Sequence, residues 1–294
     1  MCFPWRAEYF TRNWSKNCDA RQLARVRHVF NRAASALRLA ACSLLSYHAT
    51  RMHINFSLRP LIRRLGIDIV RWPKYETLYW LLNRSLEHYG VRTTLDVGAH
   101  NGEFAQELRS QTSFRGRIIS LEPEEKSFAT LSRNALEDSN WLPHRIAASN
   151  KDDVLDLHVY SSSNFSSVYA PSDFGLERYG AHLEASTKQR VRARRLDSIW
   201  EELELGNERI FLKVDTQGHD LSVVEGAGER LSQVPVLLAE APVCPIYEGV
   251  PTLSDHLTTL DSVGYELAGL FTVTRRSDSP RTVEFDAVYL RRDA

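Results

Sequence analysis

From residue 92 onward, short apolar runs rich in β-branched residues alternate with stretches of helical spacing, and few architectures accommodate that alternation. TTLDVG, GRIISLEP, PHRIAAS, ERIFLKVD, VPVLLAEA and TVEFDAVYLR read as strands, while EFAQELRS, EKSFATLSRNALED and TLSDHLTTLDSVG read as helices. Strands apolar along most of their length must be covered on both faces, so the expected class is α/β, a mostly parallel sheet between two layers of helices. One connection breaks the rhythm. The stretch from LDLHVY to RARRLDSI begins and ends strand-like around a Ser- and aromatic-rich middle, and a link that long reads as a lid or binding loop. Ser162 to Tyr169 is its candidate centre, with Ser and Asn able to hydrogen-bond a polar ligand and Phe165 and Tyr169 able to stack on it.

The N-terminal part is a separate electrostatic unit. Residues 1–71 hold about thirteen Lys/Arg against about three Asp/Glu, although the formal charge of the chain is zero. Within it, residues 20–50 have the spacing of a basic amphipathic helix, and a second helix is expected over 74–88, ending before Gly90. The expected division is a basic helical extension at 1–89 and a catalytic domain at 90–294. The cysteines Cys2, Cys18, Cys42 and Cys244 are dispersed and form no CxxC, which fits a reducing, cytoplasmic setting and argues against structural zinc. No secretion signal and no membrane span is expected, because the most apolar window, AASALRLAACSLLSYHA, is short and contains Arg38. The arginines accompany no nucleic-acid-reading module, so no specific nucleic acid is expected. The basic helix instead suits a packed cap, a homodimer contact or a peripheral contact with an anionic membrane surface.

The turn LDVGAHNGEF carries the ligand chemistry. In an open parallel sheet, ligands bind beyond the carboxyl ends of the strands where strand order reverses. Asp96, Gly98, Gly102 and Glu103 occupy that turn with GxxxG rather than GxGxxG spacing. Two carboxylates there would repel a pyrophosphate, whereas Asp96 could take an ammonium group. About twenty-five residues on, the second strand ends in Glu122, near the spacing at which an acidic residue takes ribose hydroxyls. Adenosine bearing a cationic amino-acid tail is S-adenosylmethionine.

These segments resemble the FkbM family of S-adenosylmethionine-dependent methyltransferases over about residues 90–291. The likeness lies in LDVGAHNGEF, ISLEP, LKVDTQGHDLSVVEGA, AEAPVCPIYEG and EFDAVYLR, in that order. His100 stands where the family usually has Asn, and His219 and Asp220 stand where a small or aromatic residue and Glu are typical. Tyr247, Glu248 and Asp286 match family positions without a role legible in sequence. The resemblance implies a Rossmann-like class I methyltransferase fold with a seven-stranded sheet, and methylation of a hydroxyl on a sugar, polysaccharide or similar natural product. Asp96, Gly98, Ala99, His100, Asn101, Gly102, Glu122, Pro123 and Ala148 are then the expected cofactor residues.

The expected catalytic residues are Asp215, His219, Glu240 and Lys213. Phe211, Leu212 and Val214 make a buried strand, so Lys213 and Asp215 at its end must face the cleft or each other. The next strand ends in Glu240. An aliphatic hydroxyl needs a base, or a metal to acidify it, before its oxygen can attack a methyl carbon. Asp215 with His219 could supply the base, or Asp215 with Glu240 could hold a divalent cation; the metal-free base is the preferred expectation. Lys213 either touches the acceptor or pairs with Asp215. An oxidoreductase or an idle binding protein are the competing classes, and the missing GxGxxG and the retained strand-end acids weigh against them.

Overall fold

The computed structural model describes residues 77–183 and 187–294, which lie in a compact unit running from Val70 to Ala294. The basic helix expected over 20–50, and the membrane or dimer contact attached to it, fall outside the described residues. Helix α1 (Leu78–His88) starts at Thr77, whose hydroxyl accepts from the Trp80 N–H at 3.2 Å. Although it closes the stretch assigned to the extension, its Leu82 and Leu86 are buried in the core of this unit.

Seven strands form the main sheet: β1 (Thr93–Val97), β2 (Arg117–Leu121), β3 (Trp141–His144), β7 (Ile210–Val214), β8 (Val236–Pro242), β9 (Tyr265–Arg275) and β10 (Thr282–Arg291). Their order is β3-β2-β1-β7-β8-β10-β9; the first five run parallel, and β10 and β9 pair antiparallel. The order reverses between β1 and β7, which opens a crevice at their carboxyl ends. Three strands between β3 and β7, namely β4 (Ala147–Ala148), β5 (Asp153–Val159) and β6 (Thr187–Arg194), form a separate small sheet in the order β4-β6-β5.

Pleating divides the strand residues between two cores. Leu95, Val97, Leu212, Val214, Leu237 and Ala239 face a core closed by α5 (Leu196–Ile199), α6 (Asp220–Ala227) and α7 (Leu253–Ser262). Ile118, Phe211, Val236 and Leu238 face the other, closed by α1, α2 (Glu103–Gln111) and α3 (Glu125–Ala135). Each Leu, Ile or Phe removed wholly from water here contributes about 2 kcal/mol of transfer free energy.

Three differences from the sequence reading have physical reasons. PHRIAAS is not one strand: Ile146 N–H closes back on the His144 carbonyl at 3.2 Å, so β3 ends there and Ala148 joins the small sheet. The long connection contains a helix, α4 (Asp173–Leu183), whose Gly175 lies so close to Ile246 that a Cβ would sit 2.1 Å from its carbonyl oxygen. β9 carries no clean alternation because it is an edge strand, exposed along much of its length.

Candidate active site

The turn after β1 forms because the backbone can bend where no Cβ fits. Gly98 adopts φ +73°, and a Cβ there would meet the Asp215 carbonyl oxygen at 1.9 Å. The N–H groups of Gly98 and Ala99 both donate to the Leu121 carbonyl, and Asp215 N–H donates to the Val97 carbonyl at 3.0 Å. The turn is thereby fastened to both neighbouring strand ends. Gly102, at φ +90°, starts α2, and a Cβ there would meet the Trp141 ring at 2.5 Å.

A cavity of about 720 Å³ opens over this turn, large enough for a nucleoside-sized ligand and part of a second molecule. Gly98, Ala99, His100, Glu122, Pro123 and Ala148 line it, as do Asp215, His219, Glu240 and Lys213. Three expected cofactor residues stand elsewhere. Asn101 bonds to Glu103 through its side chain at 3.0 Å, and Gly102 packs on Trp141. Asp96 is wholly buried, with one oxygen 3.1 Å from the Lys213 ammonium and the other accepting from the Ser120 hydroxyl at 3.1 Å. Asp96 is thus placed beneath the turn as the counter-ion of Lys213, not on the cavity wall where a ligand's ammonium group was expected to meet it.

Glu122, the expected ribose residue, lines the cavity. One carboxylate oxygen accepts from His100 N–H at 2.7 Å and the other from Glu124 N–H at 2.8 Å, fixing the group at the cavity wall. Burial raises its pKa to about 7, against the lowering effect of those two N–H groups. A carboxylate so placed, with lone pairs beyond those two bonds, suits the vicinal hydroxyls of a ribose, and bound S-adenosylmethionine would be held by Glu122 and the Gly98–His100 turn.

Lys213 is not available to an acceptor. Its ammonium donates to the Gly98 carbonyl at 3.0 Å and pairs with Asp96 at 3.1 Å and Asp215 at 3.5 Å, which occupies its three protons. Burial alone would lower its pKa, but the two carboxylates outweigh that and raise it. Of the two expectations for Lys213, the structure shows the pair with Asp215. The expected Asp215–His219 pair is also not formed. The His219 ring lies 2.9 Å from the Ser149 hydroxyl and 3.3 Å from the Tyr169 hydroxyl, and burial lowers its pKa. A neutral imidazole so held orients the lid wall.

Glu240 stands on the wall of the cavity. It accepts from Gln217 Nε2 at 3.0 Å, the same nitrogen lying 3.3 Å from Asp215. Burial, and next the negative charges of Asp215 and Glu284, push its pKa well above the ordinary carboxylate range. Gln217 is itself clamped, its Oε1 accepting from the Tyr247 hydroxyl at 3.0 Å; that hydroxyl also lies 2.6 Å from the Phe165 carbonyl.

The lid is ordered by such contacts. His100 Nε2 lies 2.7 Å from the Ser163 hydroxyl, and Ser167 donates to the Gln217 carbonyl at 2.7 Å. Phe165 rests on Tyr179 with ring centroids 5.1 Å apart, while Tyr169 faces His219. The sequence reading missed Arg178 and Tyr179 on α4, and Thr274 and Glu284 on β9 and β10, all of which line the cavity. Glu284 and Asp286, two acids on one face of an otherwise apolar strand, were a usable signal; α4 offered none.

The profile described as the Methyltransferase FkbM domain matches residues 96–267. A search of curated proteins gives no match. Among solved structures, the chain is similar to methyltransferase FkbM from Methylobacillus flagellatus, with 19% identity over 68% of this chain and a TM-score of 0.41. The alignment spans 43% of that longer chain. It is also similar to magnesium protoporphyrin IX methyltransferase from Synechocystis, determined with S-adenosylmethionine bound (10% identity, 83% of this chain and 87% of that one, TM-score 0.39). Fibrillarin from Aeropyrum pernix, likewise in complex with S-adenosylmethionine, gives 13% identity, 72% and 73% coverage and a TM-score of 0.39. With the family profile matching more than half of its residues, the chain belongs to the FkbM family of S-adenosylmethionine-dependent methyltransferases.

Proposed function

We propose that this enzyme methylates a hydroxyl oxygen on a sugar, polysaccharide or glycan-like natural product. The observation that carries the reading is Glu240, a carboxylate of raised proton affinity on the cavity wall beside Asp215. Bound S-adenosylmethionine supplies a methyl carbon made electrophilic by its sulfonium. The chain's own residues do the rest. Glu240 accepts the hydroxyl proton as the oxygen attacks, Gln217 fixes the carboxylate's orientation, and Lys213 holds Asp215 beside it through their 3.5 Å ion pair. Phe165 and Tyr179 offer faces on which a sugar ring packs, and the lid excludes water from the reacting centre.

The same reading extends to a glycan or other small acceptor rather than a specific nucleic acid, and to a cytoplasmic enzyme. Among the described residues no helix is long and apolar enough to cross a membrane. Contact with the inner membrane surface, or pairing into a homodimer, is proposed only for the basic segment of residues 1–71.

The test is incubation with methyl-labelled S-adenosylmethionine and a panel of mono- and oligosaccharides, with RNA and simple amines in parallel. Label in a base-stable ether on a sugar supports the proposal. Label confined to nitrogen, carboxylate or RNA overturns it.

A further inference from the structure

The base of a methyl transfer must lose its proton before the next turnover, and beneath a closed lid the acceptor cavity is a poor route. A second cavity, of about 190 Å³, lies between the sheet and helices α1 and α2. It shares Phe104, Lys213, Asp215, Glu240 and Val273 with the first, and its remaining lining includes Tyr79, Glu107 and Asp286.

Register places Asp286 beside the base. Glu240 and Asp286 are opposed residues in the antiparallel β8–β10 pair, so their side chains stand on the same face of the sheet. Opposed Cβ atoms in such a pair lie about 5 Å apart, close enough for carboxyl groups to meet directly or through one water. Asp286 differs from its acidic neighbours in how it is held. Glu240 is bound by Gln217 and Asp220 by the Thr216 hydroxyl and N–H, whereas Asp286 takes no hydrogen bond from the described residues. A half-buried carboxyl kept for structure would normally be satisfied. At the outer side of the cavity, Glu107 is exposed and accepts a hydrogen bond from the Tyr79 hydroxyl.

We propose that Asp286 is the proton outlet of the reaction: it receives from Glu240 the proton taken from the acceptor hydroxyl and delivers it to water in the second cavity. The inference rests on the hydroxyl-methylation reading above. In the transfer, the sulfur–methyl bond breaks with its electron pair remaining on sulfur, the oxygen–methyl bond forms, and the hydroxyl proton moves to Glu240. It passes next to Asp286 and then to solvent past Glu107, leaving both carboxylates as they began. The charged and titratable groups facing Asp286 are Asp215 and Lys213 on the β7 side, Glu240 on β8, Glu284 on its own strand, Glu107 on α2 and Tyr79 on α1. Burial first, and Asp215 next, raise its pKa to about 7, against Lys213, so near neutrality it can both accept and release a proton.

Asp286→Asn is the test, with turnover, acceptor KM and S-adenosylhomocysteine affinity measured together. The expected result is a kcat lower by about tenfold or more, unchanged KM and product affinity, and recovery of kcat as imidazole buffer is raised from low to high concentration. Wild type should not respond to the buffer, and Asp286→Glu should retain most of the rate. Wild-type kcat in the Asn variant, or a loss that no buffer concentration relieves, overturns the outlet. Infrared titration without acceptor gives a second readout: in the wild-type minus Asp286→Asn difference, a protonated-carboxyl component that vanishes through about pH 7 supports it, and one that titrates in the ordinary range near pH 4 refutes it. If wild type methylates no hydroxyl at all, the proposed function fails, and the infrared titration still decides whether Asp286 exchanges a proton near neutrality.

Discussion

The Lys213 ammonium stands 3.1 Å from the Asp96 carboxylate, with both side chains closed off from solvent. The pair ties the carboxyl-terminal ends of β1 and β7 together directly beneath the Gly98 turn. Lys213→Met strands the Asp96 charge in the core and should cost about 3 kcal/mol or more in chemical denaturation, whereas Asp96→Asn leaves Lys213 its Asp215 partner and should cost less. The double variant should cost distinctly less than the sum. Additive losses would show that the two side chains are not energetically a pair.

The parallel core and the order of its motifs were legible because strands buried on both faces announce themselves as apolar runs, as in IFLKV and VLLAEA. What lies across the sheet was not. Asp96 read as a ligand contact because sequence shows that an acid follows the strand's apolar residues, not that Lys213 on β7 has already claimed it. His219 was matched to Asp215 by proximity in sequence, whereas Ser149 and Tyr169, both distant in sequence, hold its ring. Acids on apolar strands were good markers of the cavity, as Glu122 and Glu240 illustrate, but their partners come from loops whose geometry carries no periodic signal.

His100 links the cofactor turn to the lid, its backbone N–H donating to Glu122 and its ring meeting Ser163. His100→Asn, which installs the residue usual in the family, should keep the backbone bond and lose the reach to Ser163. A hydrogen bond of this kind is worth about 1 kcal/mol, so amide exchange over residues 161–166 should quicken by about fivefold. Unchanged exchange there would mean the lid is held by Tyr247 and Ser167 alone.

Cofactor affinity should depend on the charge of Glu122. With a free-enzyme pKa of about 7, the group is increasingly protonated below neutrality and loses acceptor capacity for ribose hydroxyls. S-adenosylhomocysteine affinity should therefore rise as pH increases through 7, approaching a tenfold change per unit on the acid side. Glu122→Gln should bind weakly and without that slope. Calorimetric titration between pH 5.5 and 8.5, chosen to bracket about one and a half units on either side of the transition, reads both.

His256 is the marker for acid sensitivity. It is 1% exposed, and burial lowers its pKa from 6.5 to about 4. The unfolded chain thus takes up a proton near pH 6.5 that the folded chain refuses until about pH 4. The His256 contribution is present above the unfolded value and is lost as pH falls through this window, by about 3 kcal/mol at its acid end. Raised carboxyl pKa values elsewhere, as at Asp220, act in the opposite sense, so the quantity to measure is the difference between wild type and His256→Leu. That difference should shift in favour of the variant as pH falls from 6.5 to 4. A difference independent of pH would place the imidazole in a more polar setting than its burial indicates.

Glu240 carries the chemistry proposed here, and its charge state should govern turnover. Because burial and Asp215 raise its pKa, the fraction able to accept a proton grows with pH, and kcat should climb along an acid limb displaced above the ordinary carboxylate range. Glu240→Gln preserves size and the contact with Gln217 while removing the base, so kcat should fall by about a hundredfold or more and the acid limb should disappear. S-adenosylhomocysteine affinity should hold, since Glu240 sits at the β8 end of the cavity, away from Glu122 at the end of β2. A Gln variant that retains both rate and pH profile would move the base to Asp215, the remaining carboxylate fixed at the β7 rim by Lys213.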